Sequence, residues 1–161
     1  MKYYILIICL LLLGCKELDD KSDKVELTQT DSIEDGLNAA VNSNKRVLIY
    51  YNGFGCVNCR YAEERLRTKE ANDYIFKNFI LVDLKTDDRK EISKEDRVFS
   101  NLINDTIINQ GQLNRVEQFK RFGTTYDHAY IILNEKGQLI ATFTSEQGAD
   151  NFFTFLHPKK K

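Results

Sequence analysis

Residues 47–60 read Val47-Leu48-Ile49-Tyr50-Tyr51-Asn52-Gly53-Phe54-Gly55-Cys56-Val57-Asn58-Cys59-Arg60. The first five form a continuous apolar run of strand length, the kind buried on both faces of a sheet. Asn52 to Gly55 is a glycine-bearing loop, and from Cys56 the pattern turns helical through Ala62 and Leu66. A buried strand therefore feeds a short loop, and a helix opens on a Cys-x-x-Cys pair.

That order has chemical consequences. The first turn of a helix carries unpaired backbone N–H groups and the positive end of the dipole. A thiol placed there is shifted toward thiolate. A second cysteine one turn along the same helix is close enough to resolve a mixed disulfide. Cys56 is expected to be the exposed nucleophile and Cys59 the partly buried resolving thiol. Other uses of the pair fit less well. A disulfide closing so short a loop restrains little unfolded-chain entropy. A structural zinc site needs four protein ligands, and the chain has only two histidines, His128 and His157. His157 lies beside Lys159-Lys160-Lys161 and reads as solvated. Two alternatives stay open. One is a copper or zinc carrier using Cys56, Cys59 and His128. The other is a binding module with an inert pair.

Working outward, Asp31 or Ser32 can cap a helix whose first turn holds Glu34 and Asp35. Ile33, Leu37, Ala40 and Val41 recur at helical spacing, and Asn42 to Lys45 end the run. A second helical stretch covers roughly residues 70–77, followed by the strand Phe79-Ile80-Leu81-Val82-Asp83-Leu84. Residues 85–109 read as a long charged loop with a short strand or helical piece near 98–108. Residues 112–122 read as a helix with Leu113, Val116 and Phe119 on one face, closed by Gly123. Residues 129–133 and 138–144 are strands joined by Asn134-Glu135-Lys136-Gly137, a hairpin signal. Residues 146–156 are expected to be a final helix burying Phe152, Phe155 or Leu156. Helix, strand, helix, strand, helix, strand, strand, helix gives an α/β class: a mixed central sheet flanked by helices.

The N-terminus is of another kind. Lys2 precedes an apolar core of 11 residues, Tyr3 to Leu13. A membrane span needs roughly 20, so the segment reads as a secretory signal. Leu12-Leu13-Gly14-Cys15 resembles a bacterial lipobox, which implies cleavage before Cys15 and lipid attachment to it. Two or more acyl chains anchor a protein stably. The expected organisation is residues 1–14 as leader, 15–30 as lipidated cysteine and polar tether, and 31–161 as one domain. Such a chain lies outside the cytoplasm, on a periplasmic or surface membrane face, where disulfides persist. Removing Lys2 takes one from 23 basic side chains against 24 acidic ones. That near-neutral balance gives no electrostatic reason to bind nucleic acid.

The run from Val47 to Arg60, with Glu63 behind it, resembles thioredoxin-fold proteins. It is most similar to the C-terminal periplasmic domain of DsbD-type disulfide reductases and their free-standing relatives. The similarity extends to Phe79–Leu84 and to Arg121-Phe122-Gly123 before the hairpin, and covers roughly residues 32–156. It implies a thioredoxin-like fold and thiol–disulfide exchange by Cys56 and Cys59, with reduction favoured and no bound cofactor. It implies an upstream redox protein and a cysteine-bearing client as partners. Phe54, Val57, Asn58, Tyr126 and His128 would rim the site, with Phe54 and Tyr126 as an apolar landing surface. Glu63 is a candidate proton relay, or simply a solvated helix carboxylate.

Two positions depart from the pattern. Relatives place a cis-proline before the third core strand, yet the only proline here is Pro158. His128 occupies the matching position. Three roles suit it: a rim histidine bonded to backbone, a tuner of the Cys56 thiolate, or a metal ligand. Relatives also carry a buried acid six residues before the first cysteine. Here that residue is Tyr50, which reads as core packing.

Overall fold

A computed structural model describes residues 29–53, 64, 68–125, 128–144 and 151–158. Its centre is a mixed sheet of strands β1 (Gln29–Thr30), β2 (Arg46–Asn52), β3 (Phe79–Lys85), β6 (Ala129–Leu133) and β7 (Leu139–Thr144). They lie in the order β1-β3-β2-β6-β7. β1, β3 and β2 run parallel; β6 pairs antiparallel with β2, and β7 antiparallel with β6. The register pairs Tyr50 with Asp83 on one side and with Tyr130 on the other. β4 (Phe99–Ser100) and β5 (Asp105–Thr106) form a separate two-stranded ribbon.

The helices follow their capping signals. α1 (Ile33–Ser43) starts at Ser32, whose hydroxyl accepts from the Asp35 N–H at 3.3 Å, and ends at Asn44 in a left-handed conformation. α2 (Lys69–Asn78) is capped by Thr68, which accepts from the Ala71 N–H. α3 (Gln110–Phe122) starts at Asn109, whose side chain accepts from the Gln112 N–H at 2.9 Å. It ends at Gly123 with φ +69°, as the sequence led one to expect. α4 (Phe152–Leu156) closes the chain.

β2 and β6 are buried along almost their whole length because both faces of the sheet are covered. One face gathers Leu48, Tyr50, Phe79, Leu81, Tyr130, Ile132 and Phe143 against Ile75 of α2 and Phe152 and Leu156 of α4. The other gathers Val47, Ile49, Tyr51, Ile80, Val82, Ile131 and Leu133 against Ile33 and Ala40 of α1, with Phe122 of α3 at its margin. Each fully buried Leu or Ile here contributes roughly 1.5–3 kcal/mol. Gly36 lets α1 approach β3 closely, since a Cβ at that position would lie 2.4 Å from Cγ2 of Val82.

Two features differ from the sequence expectation. Gln29 and Thr30, assigned there to the tether, pair in parallel with Leu81 and Val82 as the outer strand of the sheet. The stretch 86–109 carries the β4–β5 ribbon in place of a single strand or helical piece. Of the final helix, α4 is described and residues 145–150 lie outside the described set, as do the leader, Cys15 and most of the tether. Among the described residues no helix is long and apolar enough to cross a membrane.

Candidate functional site

The carboxyl ends of β2 and β3 and the first residues of β6 meet at one end of the sheet, because β2 and β3 are parallel and β6 antiparallel to both. Polar side chains replace aliphatic ones there. β2 ends in Tyr50-Tyr51-Asn52, β3 in Asp83-Leu84-Lys85, and β6 is entered through His128.

Tyr50 and Tyr130 are register partners, and their rings stack at 4.6 Å with only 9° between planes. His128 meets both edge-on, with centroids 5.5 Å from Tyr50 and 5.4 Å from Tyr130. The histidine is only 7 % exposed. It is packed at the sheet end against the edges of two tyrosine rings. Tyr50 is 3 % exposed and serves the core, as its place in an apolar run implied. Tyr51 faces the other way, meeting Phe122 edge-on. Burial pushes the Tyr51 phenol above its ordinary range; Glu117 adds to the shift and Arg121 opposes it.

Asn52 is the last residue of β2 and is nearly buried. Its side-chain amide donates to the Asp83 carboxylate. Its backbone carbonyl accepts from the Thr86 N–H at 2.7 Å and from the Thr86 hydroxyl at 3.1 Å. Asp83 also accepts from the Gln29 amide at 3.1 Å, so one carboxylate links β1, β3 and β2. Sequence reasoning passed over Asn52, Asp83 and Thr86 as site residues. One signal was available: a carboxylate inside the run Phe79–Leu84 is unusual in a buried strand and calls for partners.

No protein-family model matches the chain, and no curated protein sequence matches it. Solved structures do. The DsbH oxidoreductase superposes with a TM-score of 0.59 at 14% identity, over 88% of this chain and 90% of that one. A thioredoxin from Thermus thermophilus gives 0.56 at 13% identity, over 81% and 85%. The disulphide isomerase from Xylella fastidiosa Temecula1 gives 0.52 at 16% identity, over 78% and 86%.

The chain has a thioredoxin-like fold. In it, β2 is the central strand and the chain leaves that strand at Asn52-Gly53, three residues before Cys56. Cys56 and Cys59 themselves lie outside the described residues, with Phe54, Val57, Asn58, Glu63, Tyr126 and Cys15. His128 is the one expected site residue whose surroundings are described, and it immediately precedes β6, the strand paired antiparallel with β2. Among the described residues no group of three or more His, Cys, Asp or Glu side chains is placed to hold a metal ion. His157, the other histidine, is held at the end of α4, with Nδ1 2.7 Å from the Phe153 carbonyl and its ring 4.1 Å from that of Tyr74.

Proposed function

We propose that the protein is a thiol–disulfide oxidoreductase working through Cys56 and Cys59, anchored to a bacterial membrane by lipid at Cys15 outside the cytoplasm, on the periplasmic side or at the cell surface. The observation that carries this is the end of β2. The central, doubly covered strand β2 ends at the same sheet end at which buried His128 leads into β6, and in the sequence Cys56 follows the last residue of β2 by four positions. The similar structures, an oxidoreductase, a thioredoxin and a disulphide isomerase, support the same chemistry.

In the reductive direction the Cys56 thiolate attacks one sulfur of a client disulfide. A mixed disulfide forms and the other client sulfur leaves as thiolate. The Cys59 thiolate then attacks the Cys56 sulfur, which forms the 56–59 disulfide and releases the second client thiol. The client gains two electrons and two protons. A dithiol redox partner then reduces the 56–59 disulfide to restart the cycle. Reductases with this chemistry need no bound cofactor.

The test is insulin reduction by the purified chain with dithiothreitol as thiol source. Turnover above the dithiothreitol background is expected, and Cys56→Ser should abolish it. Cys59→Ser should stall the reaction at a mixed disulfide, visible as an adduct by mass. Turnover at background level in the wild-type chain rejects the reading.

A further inference from the structure

Asn52 is the last residue of β2, before the cysteine segment in sequence, and it is held by three hydrogen bonds at two of its atoms. Asp83 takes its side-chain amide, while the Thr86 N–H and hydroxyl both donate to its carbonyl. These contacts come from residues 31 and 34 positions away, so they arise from tertiary packing and not from local turn formation. Asn52 and Thr86 are both nearly buried, at 8 % and 3 % exposure. A hydrogen bond to an ionised acceptor is stronger and more directional than a neutral one. Three fully extended residues reach no more than roughly 11 Å, so Cys56 stays within that distance of Gly53 wherever its segment lies.

We propose that Asp83 and Thr86 are positioning residues for thiol exchange: by clamping Asn52 they fix the direction in which the chain departs from β2 toward Cys56. The inference rests on the redox reading of the Cys56–Cys59 pair. Their effect passes through Asn52 and the three residues, 53–55, that separate it from Cys56. Exchange needs three sulfurs in line, so a small error in that direction lowers the rate without unfolding the protein.

Asp83 supplies its own control. It accepts amides from two strands, and only one of them leads to the cysteines. Loss of the Gln29 contact loosens β1 at the sheet edge. Loss of the Asn52 contact loosens the root of the active segment. A purely structural carboxylate would make the two losses equivalent.

The experiment compares wild type, Asp83→Asn, Thr86→Val and Gln29→Ala in the full chain purified in detergent. Thr86→Val keeps the side-chain shape and the N–H donor and removes only the hydroxyl, so it covers the case in which Asp83→Asn fails to fold. Two readouts are taken: insulin reduction, and the pH dependence of Cys56 alkylation by iodoacetamide, followed by peptide mass. Asp83→Asn is expected to slow exchange about tenfold and Thr86→Val about threefold, within the scale known for misplaced reacting groups. In both, the alkylation midpoint moves toward the ordinary thiol value of about 8.5. Gln29→Ala is expected to leave both readouts unchanged.

Folded Asp83→Asn and Thr86→Val proteins whose rates and alkylation profiles superpose on wild type overturn the proposal. So does a Gln29→Ala protein that shifts as far as Asp83→Asn, since that assigns the effect to a loosened sheet edge. A wild-type chain without exchange activity rejects the redox reading and this inference together. An active wild type with unshifted variants rejects the inference alone.

Discussion

On one face of the central sheet the rings of Tyr50, Tyr130, Phe143 and Phe152 touch in series; on the other, Val47, Ile49, Ile80, Val82 and Ile131 interlock as branched aliphatics. The strands are the same and only the parity of the residue differs. The ringed face carries the stack that buries His128 and, by register, the Asp83 carboxylate beside Tyr50. The aliphatic face is closed by α1, seated close to β3 at Gly36. One face is thus built to hold polar groups in fixed places at its end, and the other to hold the fold together. A single apolar run supplies both because it alternates sides at every residue.

Deleting core volume should injure either face, and this is the largest effect expected. Leu48→Ala on the ringed face removes a fully buried side chain. It should cost about 2–5 kcal/mol, read from the urea midpoint at unchanged slope. A loss under 1 kcal/mol would mean that the rings collapse into the space and that this face is less tightly packed than its burial implies.

Adding volume should separate the faces. At Gly36 the new methyl of an alanine would overlap Val82, a β-branched residue with little freedom to turn aside. Gly36→Ala should therefore destabilise by about 1–3 kcal/mol despite the better helix propensity of alanine. If the variant is as stable as wild type, α1 can shift outward, and the reading of the aliphatic face as the one that holds the fold together fails.

The same contrast explains what could be read in the sequence. β2, β3 and β6 were legible because strands covered on both faces are nearly continuous apolar runs. Gly123 and the Asn134–Gly137 turn were legible because they need left-handed backbone, and Gly123 and Gly137 have φ of +69° and +76°. β1 was not legible. Two residues, Gln29 and Thr30, carry no periodicity, and their strand exists only because β3 offers a free edge. The β4–β5 ribbon fails for the same reason, with two residues on each side. At the site, the Cys-x-x-Cys pair and His128 could be picked out by residue type. The Asn52–Asp83–Thr86 clamp could not, because its members are brought together by strand register alone. Asp83 within an apolar run was the one mark it left.

A smaller effect should run in the opposite direction. Gln118 on α3 is fully buried, and among the described residues neither its amide oxygen nor its amide nitrogen has a hydrogen-bond partner. An apolar side chain of similar size needs no such partner, so Gln118→Met should stabilise the fold by about 1 kcal/mol. Thermal and urea unfolding would both register the gain. A loss of stability would show that the amide is satisfied by an internal water, and that this side of the sheet is less dry than its aliphatic surface implies.

The smallest effect at neutral pH, and the sharpest test of that dryness, belongs to Tyr51. Its hydroxyl is buried and has no hydrogen-bond partner among the described residues. Burial, reinforced by Glu117 and opposed by Arg121, raises its pKa above the ordinary 10.0. The folded chain then keeps a proton that the unfolded chain releases near pH 10. Stability is intact below that pH and declines as pH rises above it, because the unfolded state binds fewer protons there. Tyr51→Phe removes the titrating group. Its stability at pH 7 should lie within about 1 kcal/mol of wild type. Above pH 10 it should decline less steeply, so the difference between the two proteins widens in favour of phenylalanine. Paired denaturation curves at pH 7, 9 and 10.5 measure this difference and cancel the titration of every other tyrosine. Parallel curves would mean that Tyr51 ionises as readily in the folded chain as in the unfolded one, which requires water beneath α3 on the face that is otherwise aliphatic.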